Sequence, residues 1–425
     1  MVEAVRGLGE MNILYITQYF PPEIGATQSR SYEMAKNLIK LGHRVTIMTE
    51  VPNHPSGVIS PAYRGRFRVR ETYDGIPVIR SWVDAHPEKT FNTRMRFYLS
   101  FLATTIINSL FLGPGRFDVV YATSPPLFVG LAGLVIARMR RAFFFFEVRD
   151  LWPESAVDLG QLGNPRNISR AHTIADLCYR RARGIVAVTV GILERLQQKG
   201  ISQEKLFLIK NGTNPDCFRY IRDLELEKKL GWAEKFVVLY AGIHGIAQGL
   251  EKIIDAAGLL SDEPSIHFAF IGEGPRKKEL IQYANMKGVT NLQFLPEIPS
   301  DEVPKYISLA SLCLVPLKKI ELFKGALPCK IFDSWGCGKP VLLSVEGEAR
   351  RVVEEAKGGI CVEPENSVEI ANAVRIVFSN QSIGCEMGEN GRRYIFEKGY
   401  IREAQAKELI RAFEKTLKGN TLPSP

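Results

Sequence analysis

Several spacings that would announce a familiar chemistry are missing from these 425 residues. There is no Asp-x-Asp to hold a nucleotide-bound metal, no GxxxxGK[ST] phosphate loop, no GxSxG nucleophile turn and no GxGxxG dinucleotide turn, so metal-assisted transfer, nucleotide hydrolysis, esterase and nicotinamide chemistry all lose ground. Cysteine is sparse: seven residues, an odd number, lie mostly isolated in apolar runs with no paired Cys-x-x-Cys. That argues against a disulfide framework or a zinc site and for a reducing, cytoplasmic chain. Proline and glycine, 24 and 36 residues, are not enriched enough for a disordered or fibrous chain. No short tandem repeat is visible. The opening Met1 to Glu10 is polar, so no secretory signal is expected.

What is present is length enough for two domains, an apolar share of 45% and a charged share of 24%. The net charge of +9 is unevenly placed. Residues 1–200 carry 25 Lys/Arg against 16 Asp/Glu, and residues 201–425 carry 30 of each. A basic half beside a neutral half suggests a domain that meets an anionic surface or ligand: membrane phospholipid, a lipid diphosphate or nucleic acid.

Between Arg96 and Arg116 no residue is charged, and 97–113 reads FYLSFLATTIINSLFLG. The run sits at the short edge of spanning length. Ser100, Thr104 and Asn108 recur every fourth residue, so a helix here has a polar stripe on an apolar surface. Three readings stay open: a buried helix, a helix lying in the membrane interface, and a span. The interfacial reading draws on Arg94, Arg96, Phe97 and Phe101, with Arg64, Arg66, Arg68 and Arg70 nearby.

Short apolar runs alternate with helical spacing along the chain. Strands are expected at Met11 to Thr17, His43 to Thr49, Pro77 to Trp82, Phe117 to Ala122, Ala142 to Glu147 and Gly184 to Thr189. The pattern restarts at Phe236 to Tyr240 and continues through Ile266 to Ile271, Leu292 to Phe294, Ala310 to Pro316 and Pro340 to Ser344. This predicts an α/β chain of two doubly wound, mainly parallel Rossmann-like domains facing a cleft, joined around Leu206 to Gly231. In such sheets ligands bind at loops beyond the carboxyl ends of the strands.

Those loops hold the candidate residues. Gly25 and Ala26 open a helix whose N–H groups can meet an anion. In AGIHGIAQG, Gly242, Gly245 and Gly249 surround His244 and Gln248; the glycines allow close approach to a diphosphate, and His244 can donate to it or to a leaving oxygen. Glu273, Gly274 and Pro275 repeat the strand-to-glycine-loop theme. In LPCKIFDSWGCGKPV, Lys330 and Asp333 stand three apart on one helix face, where a lysine can meet phosphate and a carboxylate ribose hydroxyls. Arg149, Asp150 and Glu154 follow a strand of four phenylalanines; Asp150 and Glu154 are a candidate acid–base or acceptor-binding pair, with helix capping as the alternative.

These segments in order, YFPPEIGATQSRSYEMA (19–35), VPNHPSG (51–57), GIPVIRSWV (75–83), TSPPLFVGLAG (123–133), FEVRDLWPES (146–155), NGTNPDCF (211–218), YAGIHGIAQGL (240–250), FIGEGPRKKEL (270–280), FLPEIPSDEVP (294–304) and LPCKIFDSWGCGKPVLL (327–343), resemble the family-4 glycosyltransferases of GT-B fold. The resemblance is nearest to a WbuB-like, L-fucosamine transferase-like subgroup of bacterial surface-polysaccharide enzymes. It implies a retaining, metal-independent transferase that needs no cofactor. The enzyme would move a sugar from a nucleotide donor, probably UDP-linked, to a polyprenyl-diphosphate-linked acceptor at the cytoplasmic face of the membrane, with no nucleic-acid partner.

The resemblance further implies an extension at 1–10, an acceptor and membrane-side domain at 11–205 and a nucleotide-sugar domain at 206–395. A C-terminal helix in 396–425 would pack back on the first domain. Gly25, Ala26, Gly242, His244, Gln248, Glu273, Gly274, Pro275, Lys330 and Asp333 would bind donor; Arg149, Asp150 and Glu154 would bind acceptor; Asp150, His244 and Lys330 would serve catalysis. Asp333 stands for the second acid of the family's E-x7-E, and the first falls on Gly325. Ile243 and Gln248 replace the usual Arg and Lys, so the positive charge must come from elsewhere, with Lys330 the leading candidate. A sugar-nucleotide epimerase and a non-catalytic membrane scaffold remain as alternatives.

Overall fold

The computed structural model describes residues 9–419 apart from 55, 89 and 114. Most of the expected extension at 1–10, with its lack of a secretory signal, and the end of the tail lie outside the described residues. Two compact units divide the chain, one running up to Lys210 and resuming at Arg402, the other spanning Asn211–Ile401.

The first unit is built on eight strands, β1 (Asn12–Thr17), β2 (Arg44–Glu50), β3 (Arg68–Tyr73), β4 (Ile76–Ser81), β5 (Val119–Ser124), β6 (Phe143–Val148), β7 (Gly184–Ala187) and β8 (Leu206–Leu208). They are ordered β3-β4-β2-β1-β5-β6-β7-β8. All neighbours are parallel except β3 and β4. The exception was not anticipated from the sequence, although Asp74-Gly75 between two strands is a recognisable hairpin turn, and both residues have positive φ, 47° and 79°. Helices α1 (Ala26–Lys40), α2 (Phe91–Leu110), α3 (Leu127–Arg140), α4 (Glu154–Asp158), α5 (Pro165–Arg181) and α6 (Val190–Gln198) link the strands. The central strands are apolar on both faces because helices cover both: β5 and β6 are buried throughout.

The second unit carries α7 (Leu224–Leu230), β9 (Phe236–Ala241), α8 (Leu250–Gly258), β10 (Ile266–Ile271), α9 (Lys277–Met286), β11 (Leu292–Leu295), α10 (Val303–Leu309), β12 (Leu312–Pro316), α11 (Cys329–Gly336), β13 (Val341–Ser344), α12 (Glu348–Ala356), β14 (Gly359–Cys361), α13 (Ser367–Ser379) and α14 (Gln381–Glu397). Its sheet is parallel with order β11-β10-β9-β12-β13-β14. Helix α15 (Arg402–Lys418) belongs to the first unit, where the Phe413 ring lies 4.6 Å from Phe145 and 5.7 Å from Tyr121.

No helix among the described residues is long and apolar enough to cross a membrane. Helix α2 instead turns its polar stripe inward. Thr104, Thr105, Asn108 and Ser109 are buried, with Asn108 Nδ2 donating to Ser81 Oγ at 2.9 Å and Thr104 Oγ1 to the Trp82 carbonyl at 2.7 Å. The apolar side faces out, with Leu99 44%, Ile107 42% and Leu110 59% exposed, and Phe111 just beyond the helix at 57%.

Candidate functional site

In the second unit, the loop after β9 is fastened to the loop after β10 by backbone bonds: Gly242 N to Ile271 O at 2.8 Å, His244 N to Glu273 O at 2.8 Å and Arg276 N to His244 O at 3.0 Å. Glycine is what lets the two approach. A Cβ on Gly272 would stand 2.1 Å from the Gly242 carbonyl oxygen, and one on Gly274 would stand 2.4 Å from that of His244. Lys277, which the sequence reading had not singled out, adds a third tie: its Nζ donates to the carbonyls of Gly272 at 2.8 Å and Leu295 at 2.9 Å and to Glu273 Oε1 at 2.6 Å. The outcome is a backbone cradle fixed before any ligand arrives.

Lys330 and Asp333 lie on α11. Lys330 Nζ reaches back to Gly242, so that a Cβ there would be 2.1 Å from it, and it stands 5.5 Å above the Tyr240 ring. Burial pulls the Lys330 ammonium down from its ordinary pKa, and Asp333 opposes this. One positive charge is thus brought to the cradle.

His244 differs from the expectation of an accessible donor. Its side chain is 0% exposed, walled by Tyr240, Phe270 and Phe294 with ring centroids 5.9, 6.1 and 6.2 Å away. Burial, with the nearby charge of Lys277 and then Lys330 against that of Glu273, lowers its pKa to about 4. At neutral pH the ring is uncharged, with neither nitrogen hydrogen-bonded within the chain. Gln248 Oε1 is likewise buried without a partner. Glu273 and Pro275 are exposed at the rim.

In the first unit, Gly25 caps α1 with no side-chain hydrogen bond, and no acidic residue lies in its first turn. Ala26 is exposed there. The 15-residue helix therefore opens with no side-chain cap on its first N–H groups.

The loop after β6 brings Arg149, Asp150 and Glu154 together in sequence but in different surroundings. Asp150 is exposed. Arg149 Nε and Nη1 are buried without an acceptor. Glu154 is bound by Lys199 at 2.6 Å, so the two carboxylates are not equivalent, and only Asp150 is unencumbered by an ion pair of this kind. Beneath them lies an ion pair that sequence reasoning missed. Glu147 Oε1 accepts from Arg30 Nε at 3.0 Å and Nη2 at 2.6 Å and from the Tyr121 hydroxyl at 2.7 Å, and Oε2 accepts from Thr123 at 2.6 Å. Burial alone would raise the Glu147 pKa, but the charge and hydrogen bonds of Arg30, then the charge of Arg149 and the Thr123 hydrogen bond, hold it at about 2. A glutamate inside an otherwise all-apolar strand, FFFFEV, was the available signal.

Of the membrane candidates, Phe101 is fully buried and can touch no lipid. Phe97 is partly buried, Arg96 pairs with Asp84 at 2.7 Å, and Arg94 reaches Gln161 at 3.2 Å. Basic groups instead gather at the other end of α2. Arg68 Nη2 donates to the Phe111 carbonyl at 2.9 Å and Arg140 Nη2 to that of Leu112 at 2.9 Å, while Arg70 also donates to Phe111. All seven cysteines are free.

Comparison with known proteins agrees with this fold. Residues 25–212 match the "Glycosyl transferase 4-like domain" and residues 223–394 match "Glycosyl transferases group 1". WcaI of Escherichia coli, named as a colanic acid biosynthesis glycosyl transferase, is 23% identical over 86% of this chain and 91% of its own. Among solved structures, sucrose-phosphate synthase from Thermosynechococcus elongatus superposes with a TM-score of 0.73 at 18% identity, covering 97% of this chain and 100% of that one. Anabaena HepE, solved with UDP-glucose, gives 0.71 at 17% identity, again over 97% and 100%. With glycosyltransferase domain models matching 25–212 and 223–394 and solved structures of the same fold over the whole chain, the chain belongs to the group 1, family-4-like glycosyltransferases of GT-B fold.

Proposed function

We propose that the protein is a retaining transferase that moves an N-acetylated hexosamine or deoxyhexosamine from a UDP-sugar to a polyprenyl-diphosphate-linked saccharide in surface-polysaccharide synthesis. The observation that carries this reading is the seat of Lys330, its ammonium occupying the space a Gly242 side chain would fill, beside the two glycine loops that backbone bonds tie together. As the sugar–phosphate bond breaks, negative charge grows on the diphosphate, and Lys330 stabilises it. His244, neutral at pH 7, has two unpaired nitrogens and could give one N–H to the donor only if its aromatic wall shifts, since the ring is fully buried. Asp333 holds the ribose, and Gln248, Glu273, Gly274 and Pro275 line the nucleoside side. Asp150 orients the acceptor hydroxyl, with Arg149 on the acceptor diphosphate and Glu154 beside it. The sugar class follows from the likeness to the WbuB-like subgroup.

The acceptor would reach the enzyme at a cytoplasmic membrane face. What supports this is α2, whose outward apolar side ends in the Arg68, Arg70 and Arg140 cluster, a combination suited to an anionic lipid surface.

The test is to incubate UDP-N-acetylglucosamine with a polyprenyl-diphosphate-linked saccharide and follow the product by mass spectrometry and anomeric NMR. The expected product retains the donor's configuration and forms equally in EDTA. A changed sugar nucleotide with no acceptor present would identify an epimerase, and loss of turnover in EDTA with rescue by magnesium would overturn the charge assignment.

A further inference from the structure

Asn53, His54 and Gly57 have no part in the donor or acceptor sets above, yet they form one wall of a separate cavity of about 210 Å³ within the first unit. The cavity lies at the carboxyl ends of β1, β2 and β4 and the first two turns of α2. From this pocket we infer a subsite for one saccharide ring of the acceptor, an inference that rests on the transferase reading above.

Size comes first. The cavity is smaller than the roughly 300–1,000 Å³ usual for drug-sized ligands, so it suits a single ring better than a nucleotide. Its lining then narrows the chemistry. Tyr19, Phe97 and Tyr98 supply aromatic surface for the C–H face of a sugar. Asn53, Thr93, His54 and His86 add polar groups along the perimeter; Asn53 Nδ2 is spent on Glu50 and Val51, which leaves its Oδ1 to accept from a ring hydroxyl. Arg94 is balanced by Glu88, so no net charge selects a bare anion, and a phosphate alone has no use for three aromatic rings.

The walls are held in place without a ligand. The backbone N–H groups of Asn53 and His54 both donate to Glu23 Oε1 at 2.7 Å, and Asn53 Nδ2 donates to Glu50 Oε1 at 2.7 Å. Gly57, at φ 71°, packs so closely that a Cβ would stand 2.0 Å from the His86 carbonyl oxygen. The loops after β2 and β4 are therefore pressed together with the cavity already formed. The pocket also shares α2 with the exposed Leu99, Ile107 and Leu110. A lipid-linked saccharide whose membrane lies along that apolar side would bring its sugar to the helix's N-terminal end.

Saturation-transfer NMR on the full chain, with UDP present and the methyl glycosides of glucose, galactose, mannose, fucose and N-acetylglucosamine as probes, tests the assignment. At least one glycoside is expected to bind. Its affinity should fall about tenfold or more in Thr93→Trp, which fills the cavity, and also in Glu88→Ala, which alters only an exposed side chain, while UDP affinity by calorimetry stays within about twofold. Binding of no glycoside, or of one that is unchanged in both variants, overturns the subsite. A wild-type protein that binds a glycoside but not UDP would instead count against the transferase reading and leave the pocket standing as a sugar site.

Discussion

Lys330 and Gly242 share one volume: the lysine's Nζ lies 2.1 Å from where a β-carbon on residue 242 would be. The glycine is thus a condition for the lysine's position. Gly242→Ala should push the ammonium out of the cradle and weaken UDP binding about tenfold to a hundredfold, the range of one charge-assisted hydrogen bond. Calorimetry against Lys330→Ala checks this, because the two variants should lose similar affinity and their combination little more.

Asp333→Ala should weaken UDP by a similar tenfold to hundredfold, about 1.5–3 kcal/mol. Asp333→Glu should retain most of the affinity, since the carboxylate is kept and only one methylene is added. UDP titrations of both variants that match the wild type would remove Asp333 from the donor site.

Glu147→Gln breaks an ion pair whose two side chains are both 0% exposed. Leaving Arg30 buried without its counter-charge should cost about 3–5 kcal/mol in urea unfolding of the first unit. The pH profile carries the same information. The Glu147 pKa is lowered from 4.5 to about 2, so its stabilisation is present above about 4.5 and is lost as the pH falls toward 2. The variant should lack that share of the acid loss.

Glu23 works in the opposite direction. Burial raises its pKa from 4.5 to about 7, against the backbone donors of Asn53 and His54 and the charge of Arg80. Its contribution is full below about 4.5 and is lost as the pH rises through about 7. The buried Glu50 beside it is also raised, first by burial and then by Glu23. Denaturation midpoints between pH 5 and 8 should therefore decline more steeply in the wild type than in Glu23→Gln, and parallel curves would show that the carboxyl is already ionised.

Membrane attachment should depend on the outer side of α2. Ile107→Glu with Leu110→Glu should abolish cosedimentation with anionic vesicles. Reversing Arg68 and Arg70 should weaken it by about 1 kcal/mol per charge and flatten its salt dependence. Neutral vesicles should recover little protein in either case. Equal recovery of the wild type with and without anionic lipid would assign α2's exposed side to another role.

Local pattern was enough for much of the architecture. The strands β1, β2, β4 to β7 and β9 to β13 follow short apolar runs, and helical spacing marks α1 to α3, α5, α8, α9 and α11, because the period of apolar residues sets the element type. The glycine loops after β9 and β10 were equally visible, since close backbone approach demands that residue. The short β8 and β14 escaped notice because three residues carry no period.

Tertiary structure decided what pattern left open. In α2 the spacing defines a polar stripe and an apolar side but does not say which one turns inward; hydrogen bonds to Ser81 and Trp82 made the polar stripe the buried one. His244 looked like an accessible donor in a loop until three aromatic rings from β9, β10 and β11 closed around it. Arg30 and Glu147 are 117 residues apart, and the pocket at Asn53 and Tyr98 draws on segments equally unrelated in sequence. Periodicity is a property of neighbours along the chain, whereas partnership between distant side chains depends on the order and register of strands in the sheet, which only the folded chain fixes.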